Sequence, residues 1–157
     1  CSQKECLFPQ PCKNIQDSHQ EYLDKLKSVA SVPGVKKVFI RSGIRFDYLM
    51  LCTDEKTRKN FIRELVKNHV SGQLKVAPEH ISDNVLRYMG KSPVSVYDSF
   101  KKEYKEENRL QGKKQFIIPY FIAAHPGSTL DNAIELALYM KKNNFVPDQV
   151  QEFYQTP

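Results

Sequence analysis

The chain has 157 residues, 40% of them hydrophobic, which is enough for one domain with a sizeable core. Its 24 Lys and Arg against 18 Asp and Glu give a formal charge of +6, a sign that suits RNA or a small anion, although the basic residues are spread as on an ordinary soluble surface. The apolar runs, such as FIIPYFIAA, are too short to cross a membrane as a helix, and no signal-peptide pattern opens the sequence.

Residues 1–17 read as a Cys- and Pro-rich loop. CSQKECLFPQPC spaces Cys1, Cys6 and Cys12 as C-x4-C-x5-C, with Pro9 and Pro11 favouring an extended, irregular path. Zinc sites usually show C-x2-C pairs and a fourth ligand. Disulfide scaffolds are shorter and spread their cysteines through the fold. Reduced thiols in a cytoplasmic protein are therefore expected, with Cys1, Cys6 and Cys12 as an auxiliary metal loop in the other reading.

A helix is predicted over 18–30, where Tyr22, Leu23, Leu26 and Val29 recur at helical steps behind Asp17 and Ser18. Pro33-Gly34 breaks it, and VKKVFIRSG (35–43) reads as a strand. A helix over 54–69 follows, with Asp54 as N-cap, Phe61, Ile62, Leu65, Val66 and His69 as its apolar stripe, and Ser71-Gly72 as its stop. GQLKVAP (72–78) is a strand, 83–89 a short helix, and a longer helix runs from Ser92-Pro93 to about Gln111, ended by Gly112. QFIIPYFIAA (115–124) is the most apolar strand; HPGST leads into a helix over 130–143, with Ser128 and Asp131 resembling a capping box. DQVQEFY (148–154) is the last strand. Tyr88, Tyr97, Phe100 and Tyr104 are assigned to core packing, His19 and His69 to structural or surface roles, and Cys52 to no motif.

A helix followed by alternating strands and helices predicts an α/β fold of parallel βα units with right-handed crossovers, either a TIM-like barrel or an open doubly wound sheet. The last strand lacks a covering helix, so a piece of a larger protein is expected. Its open sheet edges would then drive self-association.

Function in parallel α/β folds gathers at the C-terminal ends of the strands. Four segments fall there: RSGIR (41–45), APEHIS (77–82), AAHPGST (123–129) and FYQTP (153–157). Arg41, Ser42 and Arg45 can hold a carboxylate or phosphate, or simply fix the turn. Glu79 can accept from hydroxyls or an amine, and His80 can serve as acid, base or ligand; helix-cap chemistry before Ser82-Asp83 is the rival reading. Gly127 allows close backbone approach ahead of a helix N-terminus, but HPGST is not a P-loop.

At these four strand ends the sequence resembles the YgiQ-like family of radical SAM proteins. The likeness rests on GVKKVFIRSGIRFDYL, HVSGQLKVAPEHISDNVLRYMGK, GKKQFIIPYFIAAHPGSTLDNAIELA and PDQVQEFYQTP, which together cover most of the chain from Gly34 onward. It is also similar, more loosely, to methylthiotransferases, whose fifth strand commonly ends in a PGET-like turn; Ser128 stands here in place of the acid. The resemblance implies that residues 1–157 are part of one radical SAM core domain, a truncated (β/α)6 barrel whose later βα units span 18–157. It implies a [4Fe–4S] cluster that binds and reductively cleaves S-adenosylmethionine, giving a 5′-deoxyadenosyl radical that acts on an unknown substrate. By strand position, Arg41 and Ser42 would end the third strand, and Glu79 and His80 would lie near the cofactor's ribose or aminocarboxylate. Ile122, Ala123, Ala124, Phe153 and Tyr154 would flank its adenine.

The family's C-x3-C-x2-C cluster loop is absent, and the three N-terminal cysteines neither match its spacing nor occupy its place before the second strand. The isolated chain is therefore expected to be inactive. Two alternatives stand beside this reading: a non-catalytic RNA-binding module, and a small metal-stabilised α/β domain. An RNA module should cluster its basic residues on one face, whereas an enzyme piece should concentrate polar groups at the strand C-termini. Lysine doublets recur at 36–37, 101–102, 113–114 and 141–142, each near the end of a predicted element.

Overall fold

The computed structural model describes residues 6–7, 10–15, 19–147 and 150–154. Three strands, β1 (Gln73–Glu79), β2 (Phe116–Ala123) and β3 (Gln151–Glu152), form a small parallel sheet in the order β1-β2-β3. The helices are α1 (Gln20–Ala30), α2 (Phe46–Leu49), α3 (Glu55–Glu64), α4 (Asp83–Tyr88), α5 (Val94–Leu110) and α6 (Leu130–Lys142). The chain divides into two compact units, one comprising Cys1–Ile15, Ala77–Val96 and Pro119–Pro157, the other Gln16–Val76 and Tyr97–Ile118.

The Gln16–Val76/Tyr97–Ile118 unit is built on α1, α3 and α5. Leu23, Phe61, Ile62, Leu65, Val66, Leu74, Phe100 and Tyr104 are almost fully buried in it. The aromatic stripe of α5 packs as its spacing predicts: Phe46 lies 5.5 Å from Tyr97 and 5.6 Å from Phe100, and Phe100 stacks 5.9 Å from Tyr104. Asp54 caps α3 by accepting from the Lys56 amide at 3.1 Å and from the Thr57 hydroxyl at 2.5 Å. At the end of α5 the Lys113 amide donates to Asn108 O and the Gly112 amide to Arg109 O, with Gly112 at φ 61, which is a Schellman cap.

The helix predicted over 54–69 does not run as one α-helix. It widens into a π-helical turn over Leu65–His69. Widening frees carbonyls that a side chain must satisfy. Gln115 does this, its amide donating to Val66 O at 2.8 Å and Val70 O at 2.9 Å while its carbonyl accepts from the Tyr104 hydroxyl at 2.8 Å.

The strand predicted over 35–43 does not form. Residues 35–40 are not part of the sheet and are held by Ile40 N donating to His69 O at 2.9 Å, with His69 Nδ1 2.9 Å from Val38 O. Of Val35, Val38, Phe39 and Ile40, only Ile40 is buried, so burial gives the segment little grip on a register. Beyond it, a Cβ at Gly43 would lie 2.5 Å from the Lys75 carbonyl oxygen of β1.

The other unit packs Ile81, Phe121 and Leu136 at its centre, with Val94, Tyr139, Met140 and Phe145 against them. β2 pairs with β3, placing Ile122 opposite Gln151 and Ala123 opposite Glu152. The last strand is shorter than predicted; residues 148–149 and 155–157 lie outside the described residues, as do Asp17 and Ser18. Tyr88 is not a core residue. It is 60% exposed, with its ring 2.9 Å from where a Cβ on Gly127 would stand. The α6 cap sits one residue later than predicted, because the Asn132 amide group, rather than a carboxylate at 131, reaches back to the Thr129 backbone at 3.0 Å. Among the described residues no helix is long and apolar enough to cross a membrane.

Candidate functional site

β1 ends in an unusual turn. The His80 amide donates to Pro78 O at 2.9 Å, closing a three-residue γ-turn around Glu79, whose φ is 68°. A γ-turn with positive φ at its centre is the rare, strained hand. One strand over, Ala124 follows β2 directly and has φ 56°. Neither residue is glycine, so each carries the left-handed penalty of a side chain with a Cβ. Such strain, held at two adjacent strand ends, is characteristic of functional sites.

The γ-turn aims two side chains differently. The Glu79 carboxylate is partly exposed and paired with Lys91, Nζ to Oε1 2.7 Å. A carboxylate that keeps some exposure can also accept from an amine or hydroxyl. His80 turns inward and is 2% exposed. Its Nδ1 accepts from the Ser82 amide at 3.0 Å, so a neutral ring carries its proton on Nε2. Burial holds this imidazole below its ordinary pKa, with Glu135 opposing that shift and His125 adding to it. His80 is thus a neutral Nε2–H donor at physiological pH. Ser82 is buried too, its hydroxyl accepting from Asn132 at 3.0 Å, which ties the loop after β1 to the first turn of α6.

The β2 and β3 ends form the other wall. Phe153 N donates to Ala123 O at 2.8 Å. The Phe153 ring meets His125 edge-on at 4.7 Å. His125 Nδ1 stands 2.8 Å from Pro126 O and donates there. Ile122 is half-buried and Ala123 and Ala124 are exposed, so this rim offers small side chains and open backbone. Tyr154 is 78% exposed. One unit therefore holds Glu79, His80, Ile122, Ala123, Ala124, Phe153 and Tyr154.

Arg41 and Ser42 belong to the other unit and are exposed. Arg45 is taken up structurally: it grips buried Asp47 with two bonds of 2.8 and 2.7 Å and lies 4.3 Å over the Tyr48 ring. Cys6 is exposed, Cys12 half-buried, and the Cys12 amide donates to Cys6 O at 2.8 Å. Cys1 lies outside the described residues, among which no three His, Cys, Asp or Glu side chains are grouped to hold a metal ion. Sequence reasoning missed Lys91 and Asn132, and it named Ser82 only as helix-cap chemistry. Asn132, three residues after Thr129, carried a readable capping signal; Lys91 carried none.

Over all 157 residues the chain is 55% identical to a UPF0313 protein of Clostridium botulinum (strain 657 / Type Ba4), of which it covers 24%. It is 52% identical to a UPF0313 protein of Clostridium perfringens (strain SM101 / Type A), of which it covers 23%. The chain thus spans about a quarter of the length of the curated relatives it matches, which agrees with the expectation of a larger parent. No protein-family model and no solved structure matches it.

Proposed function

The chain corresponds to one segment of the UPF0313, or YgiQ-like, proteins, and we propose that in the whole protein it forms part of an S-adenosylmethionine site in a radical enzyme of unknown substrate. The observation that carries this reading is the pair of strained strand ends at Glu79 and Ala124. Strain of this kind persists only where surrounding structure enforces it. It presents a partly exposed carboxylate and open backbone at the end of the sheet where parallel α/β proteins bind ligands.

The residues fit the cofactor's organic part. Glu79 would accept from the amino group or ribose hydroxyls, while Lys91, 2.7 Å from Oε1, fixes the carboxylate's orientation. His80 would donate Nε2–H to an oxygen, held in that tautomer by the Ser82 amide. Ile122, Ala123 and Ala124 would receive the flat face of a base, with Phe153 closing the side against His125. S-adenosylmethionine, once reduced, supplies a carbon radical able to take hydrogen from an unreactive C–H bond. The N-terminal cysteines do not fit the iron–sulfur cluster, because C-x4-C-x5-C is not the cluster spacing and Cys6 and Cys12 have no third described ligand beside them. No step is assigned to them.

Calorimetric titration of S-adenosylmethionine into the anaerobic complete protein tests the site. Glu79→Gln and Glu79→Ala should each weaken binding about tenfold or more, the worth of one charge-assisted hydrogen bond. Unchanged binding in both variants, with circular dichroism showing intact folds, overturns the assignment. The complete protein should also form 5′-deoxyadenosine after cluster reconstitution, whereas the 157-residue chain alone should not.

A further inference from the structure

The lysines that look dispersed in the sequence converge in the Gln16–Val76/Tyr97–Ile118 unit. A pocket of about 470 Å³ there is lined by Lys27, Lys36, Lys37, Lys67, Lys113 and Lys114. All six are exposed, and among the described residues none is in an ion pair. By contrast Lys25 and Lys59, elsewhere in the same unit, are paired with Glu21 and Glu55. A single carboxylate, Glu64, lines the pocket, and it already accepts from the Asn68 amide at 2.7 Å. Six like charges around one concavity give it a positive potential that favours an anion.

Two further features mark the pocket as more than a charged surface. His69 lines it, 3% exposed, and its Nε2 is buried without a hydrogen bond among the described residues, the nearest charged atom being Glu64 Oε1 at 3.8 Å. A buried polar atom left in that condition calls for an explanation. Phe39 is also on the wall, a ring 41% exposed with the Lys37 ammonium 5.9 Å from its centroid. An apolar ring ahead of two lysine doublets offers a flat contact beside the charge.

We propose that this pocket is a second ligand site and binds a compact oligophosphate, the chemistry of a nucleoside polyphosphate. Its volume suits a small ligand rather than a polymer's extended path. The doublets at 36–37 and 113–114 would clamp adjacent phosphates as point charges, with Lys27 and Lys67 completing the cage. Phe39 would support the base. The site sits at the N-terminal ends of β1 and β2, beside Gly72 and Gln115, so it uses none of the residues proposed to bind S-adenosylmethionine.

The test is titration of the complete protein at about 0.1 M salt with tripolyphosphate, with ATP, and with a single-stranded RNA decamer. The paired variant Lys36→Ala/Lys113→Ala should weaken tripolyphosphate and ATP at least tenfold. The control Lys25→Ala/Lys59→Ala, which removes the same charge from lysines outside the pocket, should change both less than twofold. ATP should bind more tightly than tripolyphosphate, and Phe39→Ala should abolish that difference. Equal losses in both lysine pairs would mean diffuse attraction and overturn the site. So would absence of tripolyphosphate binding in the parent protein. RNA binding a hundredfold tighter than ATP, and lost in the pocket variant, would assign the lysines to a polynucleotide and refute the compact ligand.

Discussion

The γ-turn at Glu79 makes a prediction about sign. Compare Glu79→Gly with Glu79→Ala. Both remove the carboxylate and its 2.7 Å pair with Lys91, so that loss cancels between them. What remains is backbone. At φ 68° an alanine keeps a left-handed penalty of about 1–2 kcal/mol, which glycine escapes. Glycine's greater freedom in the unfolded chain costs it roughly 0.5–1 kcal/mol. The balance leaves the glycine variant the more stable by about 0.5–1 kcal/mol. In urea, with a slope of about 2 kcal/mol/M, that separates the midpoints by roughly 0.3–0.5 M. Far-UV circular dichroism during urea denaturation reads the difference, with equal slopes as the check that only stability changed. An ordinary strand or helix residue gives the opposite order, alanine being the more stable. That order would refute the strained turn and remove the main support for a binding site there. A glycine variant that folds more stably and still loses S-adenosylmethionine would show that the native residue is kept for its carboxylate at a cost in backbone energy.

Gly43→Ala should destabilise by about 2–4 kcal/mol, combining a left-handed penalty at φ 87° with a Cβ 2.5 Å from the Lys75 carbonyl oxygen. Gly34→Ala, at φ 89° with open space around it, should cost only about 0.5–1 kcal/mol by the same balance, and equal losses at the two positions would discount the close approach to β1. The depressed pKa of His80 ties stability to pH: the unfolded chain binds the proton near pH 6.5 and the native chain resists it. Its contribution is complete above pH 6.5 and declines as pH falls below that value toward the folded pKa. His80→Gln should flatten this dependence in pH-resolved denaturation, and an unchanged slope below pH 6.5 would count against a buried neutral imidazole.

Helix ends were the most legible features, because their signals are local. Asp54 and Gly112 each act through bonds within five residues, and both perform the predicted task. The α6 cap was misplaced by one position because Asn132 uses an amide that both accepts and donates, where the sequence pattern suggested a carboxylate at 131. The failures were long-range. The π-turn at Leu65–His69 depends on Gln115, about fifty residues away, and nothing in LVKNH announces it. Helical spacing placed Tyr88 with Tyr97, Phe100 and Tyr104, but Tyr88 ends α4, and its ring faces Gly127 instead of the α5 cluster. At the candidate site, APEHIS and AAHPGST were chosen by position at strand ends, while the strain that distinguishes Glu79 and Ala124 is a backbone property of residues that normally avoid it.

The lysines show how topology can hide a pattern from the sequence. Each pair or single residue is unremarkable alone: Lys36-Lys37 follows α1, Lys67 lies in the π-turn before β1, and Lys113-Lys114 joins α5 to β2. In parallel α/β connectivity every helix-to-strand loop returns to the same end of the sheet. Lys67 and the 113–114 doublet, which precede β1 and β2, meet in this way; Lys36-Lys37, followed by no strand, joins them after α1, and the doublet at 141–142, which ends α6 ahead of β3, does not line the pocket. The doublet at 101–102 lacks this position; it lies within α5, where Lys101 pairs with Asp98 at 2.8 Å, and it takes no part in the pocket. The relevant sequence signal is thus a lysine's place relative to the next strand, more than the number of lysines. By that criterion the 113–114 doublet, between α5 and β2, is the clearest case, and the pocket shares no residue with the strained strand ends at Glu79 and Ala124.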